Sequence, residues 1–199
     1  VTTAAQDVGL RRVIARVGLL NLGYFGVEFV VALSIGSVAL FADSVDFLED
    51  ASVNLLILLA LGWSVRWRVR TARLLAVLIL VPGVTTLWTA WVKLAEPVAP
   101  APVPLSLAGA GAFVVNLTCA LMLSRHRHHG GSLVKAAFLS ARNDVLANVA
   151  IVAAGLVTAL LWHTAWPDLI VGLGIAAINV GAAKEVLEAA REEHREAQA

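Results

Sequence analysis

Charge is scarce in this sequence: of its 199 residues, 15% are charged and 59% hydrophobic, and the mean hydropathy is +0.83. With 15 Lys and Arg against 14 Asp and Glu, the net charge is +1, so the broad basic field that nucleic-acid binding needs is missing and nucleic acid is not expected as a partner. Cysteine occurs once, as Cys119 inside an apolar run, which excludes an intrachain disulfide framework. No histidine falls in the middle of a hydrophobic stretch and no His-Glu-x-x-His segment occurs, so a membrane-embedded metalloenzyme lacks its usual metal-activating ligands. One small globular core cannot hide so much apolar surface, whereas a bilayer-spanning helix absorbs about 20 apolar residues at a time.

Six long uncharged or nearly uncharged stretches meet that length: Val17 to Ile35, Val38 to Trp63, Leu74 to Val92, Leu105 to Leu123, Leu133 to Leu161 and Leu169 to Val186. With their flanks they predict helices over 13–35, 38–63, 73–93, 105–124, 133–162 and 167–190, an all-α bundle of six transmembrane helices in one domain. Helices are required because in hydrocarbon each backbone donor must be satisfied within its own segment, and the runs lack the alternation of barrel strands. The first stretch contains Glu28 and lacks a small-residue cleavage pattern, so it reads as a retained helix and not a cleaved leader. Pro97, Pro100, Pro102 and Pro104 predict an extended linker over Lys93 to Pro104.

Basic residues gather in alternate connections: Arg11, Arg12 and Arg16 before the first helix, Arg66, Arg68, Arg70 and Arg73 after the second, Arg125, Arg127 and Lys135 after the fourth. The remaining connections are nearly bare of them, which places both termini of a multi-pass cell-membrane protein on the cytoplasmic side. Trp63, Trp67, Trp88, Trp91, Trp162 and Trp166 fall near predicted helix ends, where amphipathic rings sit at the headgroups.

Against this poverty of charge, the second helix concentrates Asp43, Asp46, Glu49 and Asp50 within eight residues. Each charged group near the centre of a membrane helix costs about 2.5–3.5 kcal/mol, so four of them need compensation. At about 100° per residue, Asp43, Asp46, Asp50 and Asn54 share an arc of roughly 80° and Glu49 lies off it. The fifth helix carries a second ladder, Ser140, Asp144 and Asn148, with Asn143 at its margin. Counting from Trp63 and Leu133 puts Asp50 and Asp144 within about 3 Å of one height. Converging carboxylates in a low-dielectric interior cannot all stay ionised unless a cation joins them, and a divalent metal resolves the conflict. Without it, protons take its place, so metal and protons exclude one another, as antiport requires. The competing reading has the acids in structural hydrogen bonds or paired with Arg142.

The stretch from Gly36 to Asp50, Gly-Ser-Val-Ala-Leu-Phe-Ala-Asp-Ser-Val-Asp-Phe-Leu-Glu-Asp, resembles the second-helix signature of the cation diffusion facilitator family of divalent-metal transporters, and Ser140 to Asn148 resembles the fifth-helix segment of that family. The resemblance implies a proton-coupled exporter with Asp46, Asp50, Asp144 and Ser140 as metal-site positions, where Ser140 stands in place of the family's common histidine. Asp43 and Asn143 are secondary candidates. It implies zinc or cadmium as cargo, with manganese, iron or cobalt as alternatives that an oxygen-rich site accommodates. It also implies no prosthetic group and a homodimer, here through membrane helices, since only Glu185 to Ala199 follows the sixth helix where the family usually carries a cytosolic domain. A passive divalent-cation channel is the alternative transport reading.

Other polar residues have two readings each. His126, His128 and His129 form a loop that suits metal capture, although the interleaved arginines repel cations. Glu28 shares a face of the first helix with Asn21 and is either an accessory proton carrier or a hydrogen-bonded structural residue. Asn116 and Asn179 read as interhelical hydrogen-bonding residues in preference to ligands, and His163 and Asp168, near the outer surface, as groups that serve metal release or as plain solvated loop residues.

Overall fold

Local chemistry at Gly36 and Ser37 ends one helix and starts the next. Gly36 adopts φ +62°, the left-handed conformation that glycine enters without a Cβ penalty, and the Ser37 N–H then reaches back to the Ala32 carbonyl at 3.0 Å, the bond of a Schellman stop. Ser37 next serves as N-cap, its hydroxyl accepting the Leu40 N–H at 3.1 Å. Thus the Gly36-Ser37 pair builds the helix–helix corner.

The computed structural model describes residues 2–60, 84, 86–95, 97–126 and 131–178. Among them the regular structure is all helical: α1 (Thr2–Ile35), α2 (Val38–Ala60), α3 (86–95), α4 (Pro102–Ser124), α5 (Gly131–Leu160) and α6 (Trp166–Ile178). Segments Gly9–Ile35, Pro102–Ser124 and Ala137–Leu160 are long and apolar enough to cross a membrane. α2 has 23 residues, about 35 Å of helix, and is long enough to cross although its carboxylates lower its hydropathy.

α1 packs on α2 and α4 on α5, while α1 also meets α4 and α2 meets α5, so these four helices form a square bundle. Its polarity is inverted relative to a water-soluble domain. Leu19, Val30, Leu33, Val114, Leu146 and Leu160 are exposed on the outside, whereas Asn21, Glu28, Asp43, Asp50, Asn54, Asn116 and Asn148 are buried within. Lipid as solvent accounts for that arrangement: the apolar exterior costs nothing in hydrocarbon, and polar side chains find partners only between helices. Close approach is secured where side chains vanish. A Cβ on Gly172 of α6 would sit 2.7 Å from the Ala39 nitrogen, so α6 lies directly against the first turn of α2.

Two sequence-based expectations change here. The proline linker is shorter than expected, because α3 continues to residue 95 and α4 starts at Pro102. Ala101 caps α4 in an extended conformation and proline occupies its first turn, where no N–H is needed. Asp168 is not a solvated loop residue but fully buried. Its carboxylate accepts the Ser37 hydroxyl at 2.5 Å and the N–H groups of Val38 at 2.9 Å and Ala39 at 3.2 Å, and pairs with Lys93 Nζ at 2.9 Å. Lys93 also donates to the Gly36 carbonyl. One negative charge at the N-terminus of α2 therefore ties α2, α3 and α6 together, in the position where a helix dipole favours it.

Candidate metal site

The two polar ladders face each other across the α2–α5 contact. Ser140 Oγ donates to Asp50 Oδ1 at 3.0 Å, and Asn148 Nδ2 donates to Asp43 Oδ2 at 2.5 Å. Between these rungs Asp46 and Asp144, both half-buried, lie within electrostatic range of one another and of their neighbours. Residues two turns apart on α2 meet residues two turns apart on the antiparallel α5, which is what ladders of three- and four-residue steps on both sides produce.

The register differs from the one read from hydropathy. Asp50 stands level with Ser140, so Asp144 lies about one turn, or roughly 6 Å, further along the axis instead of beside Asp50. Hydropathy locates the ends of an apolar run, whereas interhelical hydrogen bonds fix how far the helices slide past one another.

The first and fourth helices extend the polar interior. Asn21 Nδ2 donates to Asp50 Oδ2 at 3.3 Å, and the Cys119 thiol lies 3.5 Å from Asn21 Oδ1. Asn116 Nδ2 donates to Asn148 Oδ1 at 3.0 Å, so Asn148 passes a hydrogen bond from α4 to Asp43. Asn54 donates to the Asp50 carbonyl at 2.7 Å, within α2. Among the described residues each donor to the α2 aspartates is neutral. Among the described residues none of Asp43, Asp46, Asp50 and Asp144 pairs with a lysine or arginine, and Arg142 is exposed with its guanidinium 3.4 Å from Asn143 Oδ1.

The secondary candidates separate. Asp43 is fully buried on the shared face, whereas Asn143 is exposed on the other side of α5 and does not join the ladder. Glu49 is half-buried off the shared face. His126 is half-buried with Nδ1 3.4 Å from the Met122 carbonyl, and His128 and His129 lie outside the described residues, as do Asn179 and the arginines from Arg66 to Arg73. Among the described residues no three His, Cys, Asp or Glu side chains are gathered tightly enough to hold a metal ion together. Asp50 instead spends both carboxylate oxygens on Ser140 and Asn21.

The chain matches the cation efflux transmembrane domain over residues 14–193. It belongs to the cation efflux family. No curated protein matches it. The family's members are transporters and not enzymes, so this is a multi-pass membrane domain for the transport of metal cations, with metal as cargo. The match covers α2 to α6 and the greater part of α1, including both polar ladders.

Two residues of this cation efflux bundle make contacts that their places in the sequence do not announce. Cys119 was informative only about disulfides until α4 placed its thiol beside Asn21, and Lys93 was only a linker charge until α3 delivered it to Asp168. The available signal for Lys93 was the pairing of one cation with one acid in otherwise bare connections.

Proposed function

We propose that this chain exports a divalent transition-metal cation from the cytoplasm in exchange for protons, using Asp46, Asp50 and Asp144 as core ligands with Ser140 as a neutral oxygen beside them. The observation that carries the reading is the facing pair of ladders: four aspartates at the α2–α5 contact, served by neutral donors and by no basic side chain among the described residues. Such a group needs positive charge when ionised, and a metal or protons supply it alternately. Metal binding draws Asp46, Asp50 and Asp144 toward one ion and releases Asp50 from Ser140 and Asn21. Proton binding restores the hydrogen-bonded arrangement. Because each state favours a different disposition of α2 against α5, exchange of ligand shifts the balance between conformations open to opposite sides of the membrane.

Cytoplasmic termini follow from the distribution of basic residues, while export and a homodimer through membrane helices rest on the family resemblance. Zinc and cadmium are the first cargoes to test, followed by manganese, iron(II) and cobalt, since carboxylate and hydroxyl oxygens suit harder ions as well. Reconstituted vesicles loaded with a metal indicator and a pH indicator provide the test. Metal entry with matched counterflow of protons, lost in Asp50→Ala, is the expected result. Metal flux that follows the electrical gradient without proton movement would establish a passive channel instead.

A further inference from the structure

The buried acids of the bundle form two groups. Asp46, Asp50 and Asp144 belong to the proposed cargo site, while Glu28 of α1 stands opposite Asp43 nearer the α1–α2 turn, in the stretch where Phe29 packs on Phe41 (ring centroids 5.6 Å apart) and Tyr24 on Phe47 (5.1 Å). Asp43 precedes Asp46 by three residues, a rise of roughly 4.5 Å along α2. Glu28 is fully buried, and neither of its carboxyl oxygens nor Oδ1 of Asp43 receives a donor from any other side chain or backbone group among the described residues, so that the two carboxyl groups have only each other. The other Asp43 oxygen is fixed by Asn148. Tyr24, one turn before Glu28 on α1, does not supply the missing donor, because its hydroxyl is committed to the Ala108 carbonyl at 2.7 Å.

A structural acid in this fold is treated differently, as Asp168 shows with three neutral donors and a lysine. Leaving a buried polar oxygen unpaired costs about 1–3 kcal/mol, more for a charged group, so three orphaned oxygens on two adjoining carboxylates mark a place where something else is bound. We propose that Glu28 and Asp43 form a second cation site, a station for a hard divalent ion between the Asp46–Asp144 pair and the α1–α2 turn. Two carboxylates match a double positive charge, and a donor set made only of oxygens selects hard ions of the manganese or magnesium type. Asn148, itself oriented by Asn116, holds one Asp43 oxygen and leaves the other to the ion. The role as a station in transit rests on the proposed function; the site itself rests on Glu28 and Asp43.

The experiment counts bound manganese on the purified full chain in lipid nanodiscs by electron paramagnetic resonance. Two ions per chain are expected in the unmodified protein. Glu28→Gln and Asp43→Asn should each bind one, and Asp144→Ala should retain one that disappears when Glu28→Gln is added. The isosteric Gln and Asn keep the packing, and monodisperse elution with unchanged helical circular dichroism verifies each variant. One ion in the unmodified protein, kept in Glu28→Gln and lost in Asp144→Ala, overturns the second site and leaves the cargo site standing. One ion kept in Asp144→Ala and lost in Glu28→Gln upholds the second site and contradicts the proposed cargo site.

Discussion

Asp168 and Asp43 are both fully buried carboxylates in contact with other helices, yet they are furnished in opposite ways. Asp168 receives a hydroxyl, two backbone N–H groups and the Lys93 ammonium, so its charge is matched on the spot. Asp43 receives one amide donor on one oxygen, has Glu28 beside it and keeps the other oxygen unpaired among the described residues. Burial alone therefore does not mark a functional acid in a membrane bundle. What separates the two is the supply of donors: a satisfied carboxylate holds helices together, and an undersupplied one is where the proposed cation or proton would bind.

The largest effect that sharpens this contrast is on transport. Asp50→Ala or Asp144→Ala should lower metal flux into reconstituted vesicles by at least about 100-fold, the upper end of what loss of a supporting residue costs a metal site. Helical content should stay unchanged. Next is the satisfied acid: Asp168→Ala strands Lys93 and should destabilise the fold by about 3–5 kcal/mol, read as earlier thermal unfolding in nanodiscs, with manganese affinity of the folded fraction unaltered. Combining Asp168→Leu with Lys93→Met should cost less than either change alone, which a double-mutant cycle measures. If Asp168→Ala abolished metal binding while leaving the unfolding temperature in place, the division between the two kinds of acid would be broken.

A third change alters selectivity. Ser140→His supplies the imidazole that the second ladder lacks, and competition between zinc and manganese should move toward zinc, on the order of 10-fold. The smallest effect is expected at Asn143. It is exposed off the ladder, so Asn143→Ala should alter stability by less than about 0.5 kcal/mol and leave flux unchanged.

Much of the bundle is legible in the amino-acid order, because spacing on a helix is a local property. Asp43, Asp46 and Asp50 on α2, and Ser140, Asp144 and Asn148 on α5, announce their faces through the 3.6-residue period alone. The slide of one helix past the other is not local. Trp63 and Leu133 mark the ends of apolar runs, but the pairing of Asp50 with Ser140 sets a register nearly two turns, roughly 9 Å, away from the one those ends suggest. Asp168 is harder still, since its partners Lys93 and Ser37 lie 75 and 131 residues away and nothing in an aspartate at the start of a helix signals which other helix end it will cap. Pro102 illustrates the remaining ambiguity: the same ring that favours an extended linker also suits the first turn of α4, and packing of Leu105 and Ala108 into the core decides in favour of helix.

Competition between metal and protons for the α2–α5 aspartates is tested most directly by calorimetric titration of the purified full chain with zinc at several pH values, in buffers of different ionisation enthalpy. Exchange predicts affinity that falls as the pH is lowered, protons released to the buffer on binding, and loss of both in Asp144→Asn. Zinc binding that is independent of pH, releases no protons and survives Asp144→Asn would contradict it.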